Sequence, residues 1–160
     1  MELQQHEQPT GYIQLRGSLR IAMRDPDGKL LEERIVKNTV VTQGRSWVLG
    51  QLETVNQQTA QTVSQMAIGS GTVAPTTANT ALGLEVTRKA IGTFSTTNLT
   101  ANPPSFDSIT SFATNEANTT LAEVGLFNSS AGGTMLARAT FASFVKATSN
   151  TLSITYTISG

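Results

Sequence analysis

Three glutamates, Glu85, Glu116 and Glu123, are the only ones after residue 54. Two carboxylates are what glycoside cleavage needs, one to protonate the leaving group and one to attack or to activate water. The surrounding sequence is sparse in the aromatic rings that stack sugars, so hydrolysis is not the expectation. His6 is the single histidine and sits in a polar N-terminal arm. A general base needs a positioned partner, and a lone histidine removes Ser-His-Asp and histidine-zinc schemes. With no cysteine, disulfides, thiolate metal sites and thiol nucleophiles go as well. Gly69-Ser70-Gly71-Thr72 has the glycines of a loop that cradles phosphate. Such a loop continues with Lys-Ser/Thr into a helix, whereas Val73-Ala74-Pro75 follows here, so a turn is expected. Asp25, Asp27, Glu32 and Glu33 concentrate acids, but no glutamate falls where a calcium loop of the EF-hand type would close. Arg24, Lys29 and Arg34 lie among them, and exposed cross-strand salt bridges are the expected use. No catalytic residue, metal site or cofactor is expected.

Charge is uneven along the chain. Residues 1–54 hold seven acids and seven bases, and the remaining 106 residues hold only four of each. The total is zero, so no net field steers the protein toward nucleic acid or an anionic membrane. Among the few charges of the neutral part, Glu85, Arg88 and Glu123 are candidates for a partly buried ion network that fixes strand or subunit register. Arg16, Arg20, Arg24, Arg34, Lys37 and Arg45 form a candidate basic stripe, with Arg16, Arg20 and Arg24 on one face of a strand because their spacing is even. Interleaved acids favour protein contact over nucleic acid for this stripe.

The elements that would position these residues are mostly strands. Residues 1–10 read as an arm. Leu15–Val41 reads as a hairpin turned by Asp25-Pro26-Asp27-Gly28. Thr42 is the expected N-cap of a short helix running to about Glu53, with Trp47, Val48 and Leu52 near one face. Residues 54–64 read as a loop. Further strands are expected at Met66–Ile68, Arg88–Phe94, Phe106–Ala113, Leu121–Phe127, Met135–Phe141 and Thr151–Ser159, with Phe106, Ile109 and Phe112 facing inward. A loop spans Thr72–Thr80, a helical turn Ala81–Glu85, and a second loop Asn98–Ser105. In Leu152-Ser153-Ile154-Thr155-Tyr156-Thr157-Ile158 apolar side chains alternate with hydroxyls, which gives one core face and one neutral, hydroxylated face. Roughly eight short strands between turn signals predict a mainly β chain, an antiparallel β-sandwich (jelly-roll-like) with an N-terminal arm and hairpin and one short helix. The expected division is arm, charged hairpin and helix over 1–54 and sandwich over 55–160. Met1–Pro9 has neither the basic nor the apolar region of a signal peptide, and no apolar run reaches the roughly 18 residues of a membrane span. A soluble product, or a component of a particle assembled in the synthesising cell, is expected.

Several motifs carry a resemblance. Met66-Ala67-Ile68-Gly69-Ser70-Gly71-Thr72-Val73-Ala74-Pro75, followed by Thr80-Ala81-Leu82-Gly83-Leu84-Glu85 and Arg88, resembles small virion proteins of tailed bacteriophages. Leu121-Ala122-Glu123-Val124-Gly125-Leu126-Phe127-Asn128 with Gly132-Gly133-Thr134-Met135-Leu136-Ala137-Arg138 is similar to them too, as are Val40-Val41-Thr42-Gln43-Gly44-Arg45 and Asn150-Thr151-Leu152-Ser153-Ile154-Thr155-Tyr156-Thr157. The resemblance spans about residues 36–160, and the charged hairpin before it has no counterpart. It implies a virion structural protein, either a capsid decoration (cement) protein on the major capsid protein lattice or a tail-fibre, baseplate or collar component. Decoration implies a homotrimer on the capsid surface, with Arg16, Arg20, Arg24, Arg34 and Lys37 as capsid-contact candidates and no nucleic acid, membrane or cofactor.

Overall fold

In the final strand, the alternation of Leu152, Ile154, Tyr156 and Ile158 with Ser153, Thr155 and Thr157 places the four apolar side chains in the core and leaves the hydroxyls partly exposed. The same two-residue period builds a sandwich of two five-stranded antiparallel sheets. The computed structural model describes residues 14–51, 62–96 and 98–160. Its elements are β1 (Arg16–Arg24), β2 (Leu30–Lys37), β3 (Thr39–Val40), α1 (Thr42–Gly50), β4 (Gln65–Gly69), β5 (Glu85–Ala90), β6 (Thr93–Ser95), β7 (Ser105–Phe112), β8 (Thr120–Phe127), β9 (Met135–Val145) and β10 (Thr151–Ser159). One sheet runs β2-β1-β10-β7-β6 and the other β3-β9-β8-β4-β5. Between them Leu19, Ile21, Met66, Ile68, Phe112, Leu121, Val124, Leu126, Leu152, Ile154 and Tyr156 form the main core.

The hairpin is not a separate front piece. β1 pairs with β10 along its length, from Arg16 opposite Ser159 to Arg24 opposite Thr151, and Leu19, Ile21 and Met23 enter the common core. Charge composition therefore divides the sequence at residue 54, but hydrogen bonding does not divide the fold there.

Two segments expected as single strands each break and change sheets. Leu30–Val41 becomes β2 in one sheet and β3 in the other, with Asn38 at the crossing. Arg88–Phe94 becomes the end of β5 and β6, separated by Ile91-Gly92. A chain that must close a sandwich has to cross between layers, and periodicity is blind to the crossing. Ile109 also departs from expectation. It lies opposite Thr155 on the hydroxyl side, while Phe106, Ser108, Thr110 and Phe112 take the inward positions.

α1 starts one residue away from the expected cap. Val41 is the N-cap and makes no side-chain capping hydrogen bond, and Thr42 is already helical. Instead, the Thr42 N–H donates to the Thr77 carbonyl at 2.8 Å, so a loop supplies what a cap would have. The helix lies on β9 through Gly44. A Cβ there would fall 2.3 Å from the Leu136 carbonyl oxygen, a distance no side chain can occupy. Trp47 and Val48 are half-buried against the core; Leu52 lies outside the described residues, as do His6 and most of the 54–64 segment.

Candidate functional site

β8 is buried on both faces from Leu121 to Phe127. Leu121, Val124 and Leu126 point into the sandwich. On the other face a second cluster of Val41, Ala67, Leu82, Phe127 and Met135 is covered by the irregular segment between β4 and β5. The expected helical turn at Ala81–Glu85 is absent, and that stretch lies as extended bends over the sheet.

Glu123 holds this third layer down. Its side chain is fully buried, which opposes ionisation. Four groups outweigh that cost. Oε1 accepts the N–H of Gly71 at 2.9 Å and of Leu84 at 2.7 Å. Oε2 accepts the N–H of Gly83 at 2.9 Å and two nitrogens of Arg138, at 2.9 and 2.7 Å. The carboxyl is held below its ordinary value despite burial, because the Leu84 and Gly83 amides, Arg138 and the Gly71 amide together favour the anion. Arg138 extends the clamp to the Val73 carbonyl at 3.0 Å and to Asn79 Oδ1 at 3.1 Å. The glycine turn that looked like a phosphate loop thus does cradle an anion, and the anion is internal. A Cβ on Gly71 would sit 2.4 Å from Glu123 Oε1, so the close approach requires glycine.

The register candidates divide into two unconnected devices. Glu123 pairs with Arg138, whereas Glu85 pairs with Arg88 at 2.7 Å. The Arg88 guanidinium lies 3.6 Å over the Phe127 ring and donates to the carbonyls of Ser129 and Gly132 at 2.9 and 2.8 Å. It ties β5 to the β8–β9 turn. Glu116 belongs to a third device, accepting Lys89 Nζ at 2.8 and 2.9 Å and the Ala113 N–H at 2.7 Å. Lys89 and the Ala113 amide hold its carboxyl below the ordinary value. Nearby Lys146 is buried and donates to the Ala113 carbonyl and to Asn118 Oδ1, both at 2.8 Å. Burial pulls its amine down, and Glu116 opposes that pull. The three glutamates therefore do not form a carboxylate pair; each is committed to a different cation.

The basic stripe is only partly assembled. Arg16, Arg20 and Arg24 are exposed along β1. Arg20 meets Glu33 across the hairpin at 2.6 Å, and Arg24 donates to the Gly28 carbonyl at 3.0 Å. Arg34 lies opposite Ile21, so it leaves the stripe for the inward side of the edge strand and pairs with Glu32 at 2.5 Å. Arg16 donates to Gln14. Asp25 Oδ1 accepts the N–H groups of Asp27 and Lys29 at 3.0 and 2.9 Å, which shapes the turn.

Arg16 and Lys37 remain together, and Arg45 joins them. With Leu15, Gly17, Ser18, Asn38, Thr39, Val40, Thr157 and Ser159 they line a cleft of about 610 Å³ where the chain crosses between sheets. The side-chain amide of Asn38 is buried behind this cleft, against Gly17 and beside the buried hydroxyl of Tyr156. A second cavity of about 600 Å³, nearly all apolar, is lined by residues including Trp47, Val48, Phe94, Phe106, Leu136 and Ile158. Among the described residues no cluster of histidine, aspartate and glutamate could hold a metal ion, and no helix is long and apolar enough to cross a membrane.

Comparison with protein-family models, curated proteins and solved structures returns no match.

Sequence reading missed Arg138 as the partner of Glu123. The signal was present: each is the one charge inside an apolar strand, in Leu121–Phe127 and Met135–Phe141, and such charges are buried only in pairs. Asn38 and the cleft were not legible, because the crossing that creates them has no pattern of its own.

Proposed function

We propose that the chain is a structural protein of a tailed-bacteriophage virion, a capsid decoration (cement) protein that seats as a homotrimer on the outer surface of the major capsid protein lattice and stabilises the head. The supporting observation is how the neutral part spends its charges. Glu85, Glu116 and Glu123 all bind cations of their own sandwich, while the outer face of the β1 sheet carries Ser111, Ser153, Thr155 and Thr157. Internal clamps make a stiff frame, and a face that sets these hydroxyls beside the exposed Arg16, Arg20 and Arg24 suits adhesion by shape and hydrogen bonding. The motif resemblance across residues 36–160 points the same way. Each subunit then needs only a weak footprint, since three linked footprints add through effective concentration.

Fractionation of disrupted particles tests the reading. Decoration requires the chain to follow heads at high copy, and light scattering of the purified protein should give three times the 17.0 kDa chain mass. Recovery with tails at low copy would instead establish a tail-fibre, baseplate or collar component. A glycan hydrolase would show turnover lost in Glu85→Gln, a substitution outside the Glu123 clamp; no turnover is expected.

A further inference from the structure

We propose that the cleft lined by Arg16, Lys37 and Arg45 binds a carboxylate-rich peptide segment of a partner protein. Three cations and no acid line this space. The salt bridges among the described residues use Arg20, Arg34, Arg88, Lys89 and Arg138. Lys37 and Arg45 have no carboxylate partner among the described residues, and Arg16 meets only the neutral Gln14. Outside the cleft, five of the eight described cations pair with acids, Arg24 and Lys146 bind carbonyls, and Lys29 stands alone among the described residues, so the cleft is where three cations without carboxylate partners come together. Ser18, Thr39 and Ser159 add hydroxyl groups, whereas the Thr157 hydroxyl already donates to Asp107 at 2.7 Å. Clusters of this kind recognise acidic motifs through charge-assisted hydrogen bonds.

The surroundings favour a peptide over a nucleic acid strand. Single-stranded nucleic acid is held by aromatic side chains on which bases stack, and no aromatic residue lines the cleft. Ile35, two residues before Lys37 on the same face of the edge strand β2, is 70% exposed. It offers an apolar contact that a protein segment can use beside its carboxylates. The inference deepens the attachment reading by naming a surface and its chemistry, and it rests on that reading only for the partner's being a protein.

The test uses the full chain and a fluorescein-labelled hexaglutamate peptide, with an oligothymidylate of equal length as competitor. The peptide should bind at low salt and be released at about 0.5 M salt, where screening reaches within a few ångströms. Lys37→Glu with Arg45→Glu should weaken binding about tenfold or more, while Lys29→Glu, in the hairpin turn away from the cleft, should leave it unchanged. Lys37→Gln with Arg45→Gln serves if the double reversal unfolds. Absence of peptide binding, or equal binding by the double variant, overturns the proposal. Tighter binding of the oligothymidylate through the same two residues also overturns it, in favour of a nucleic acid site. A double variant that loses the peptide yet still follows heads sinks this inference alone; a wild-type chain that binds the peptide but never follows heads sinks the virion reading alone.

Discussion

Glu123 shows how one carboxylate can substitute for secondary structure. Three amides from a segment with no helix or ladder of its own converge on it, so backbone groups that would otherwise be buried unpaired are satisfied. Glu123→Gln should cost about 3–5 kcal/mol in chemical denaturation, the range for breaking a buried pair from one side. Replacing both members by apolar residues, Glu123→Leu with Arg138→Met, should not restore stability. The usual rescue fails because Gly71, Gly83 and Leu84 would keep orphaned N–H groups; recovery to wild-type stability would show that the ion pair alone matters. The acid limb follows from the same site. Glu123 and Glu116 both have carboxyls held below the ordinary carboxylate value in the fold, so their stabilising contribution is complete above the unfolded value and is lost as pH falls through the folded ones. Thermal midpoints measured downward from pH 5 should drop, and Glu123→Gln should flatten that drop.

At the level of elements, what the sequence made legible and what it hid follow one rule. Thr151–Ser159 was readable because its clean two-residue period maps to a face, and Leu121–Phe127 because a short apolar run between turn signals fits a strand buried on both faces. The breaks at Asn38 and Ile91-Gly92 were not, because a crossing between sheets has no residue pattern of its own. Ile109 was misplaced for a related reason: hydrophobicity favoured an inward position, and the parity fixed by Phe106 and Phe112 overrode it. Phe106 and Phe112 were correctly read. Of the candidate residues, Glu85 and Arg88 were rightly linked, whereas Glu123 belonged with a cation never considered. Arg88 is the more testable element-scale device, since its plane both stacks on Phe127 and reaches two carbonyls. Arg88→Lys keeps the charge but loses the fork. It should speed amide exchange in residues 128–133 several-fold while leaving exchange in β10 unchanged. Equal exchange in both regions would mean that the turn is held by other contacts.

For the molecule as a whole, the charged segment and the neutral one are woven together, so removing the hairpin would take β1 out of the core. A shorter cut separates attachment from folding. Deleting residues 1–14 should abolish binding to expanded empty heads and leave a folded oligomer; undiminished saturation of heads would assign attachment elsewhere. One further consequence belongs to the pairing of β1 with β10. Because Arg16 faces Ser159 in an antiparallel ladder, tension applied between those two residues would load the backbone bonds one after another rather than together. The sheet would open like a zip at low force. On the proposed virion reading, a shell that swells should therefore load this protein from one flank and never between Arg16 and Ser159.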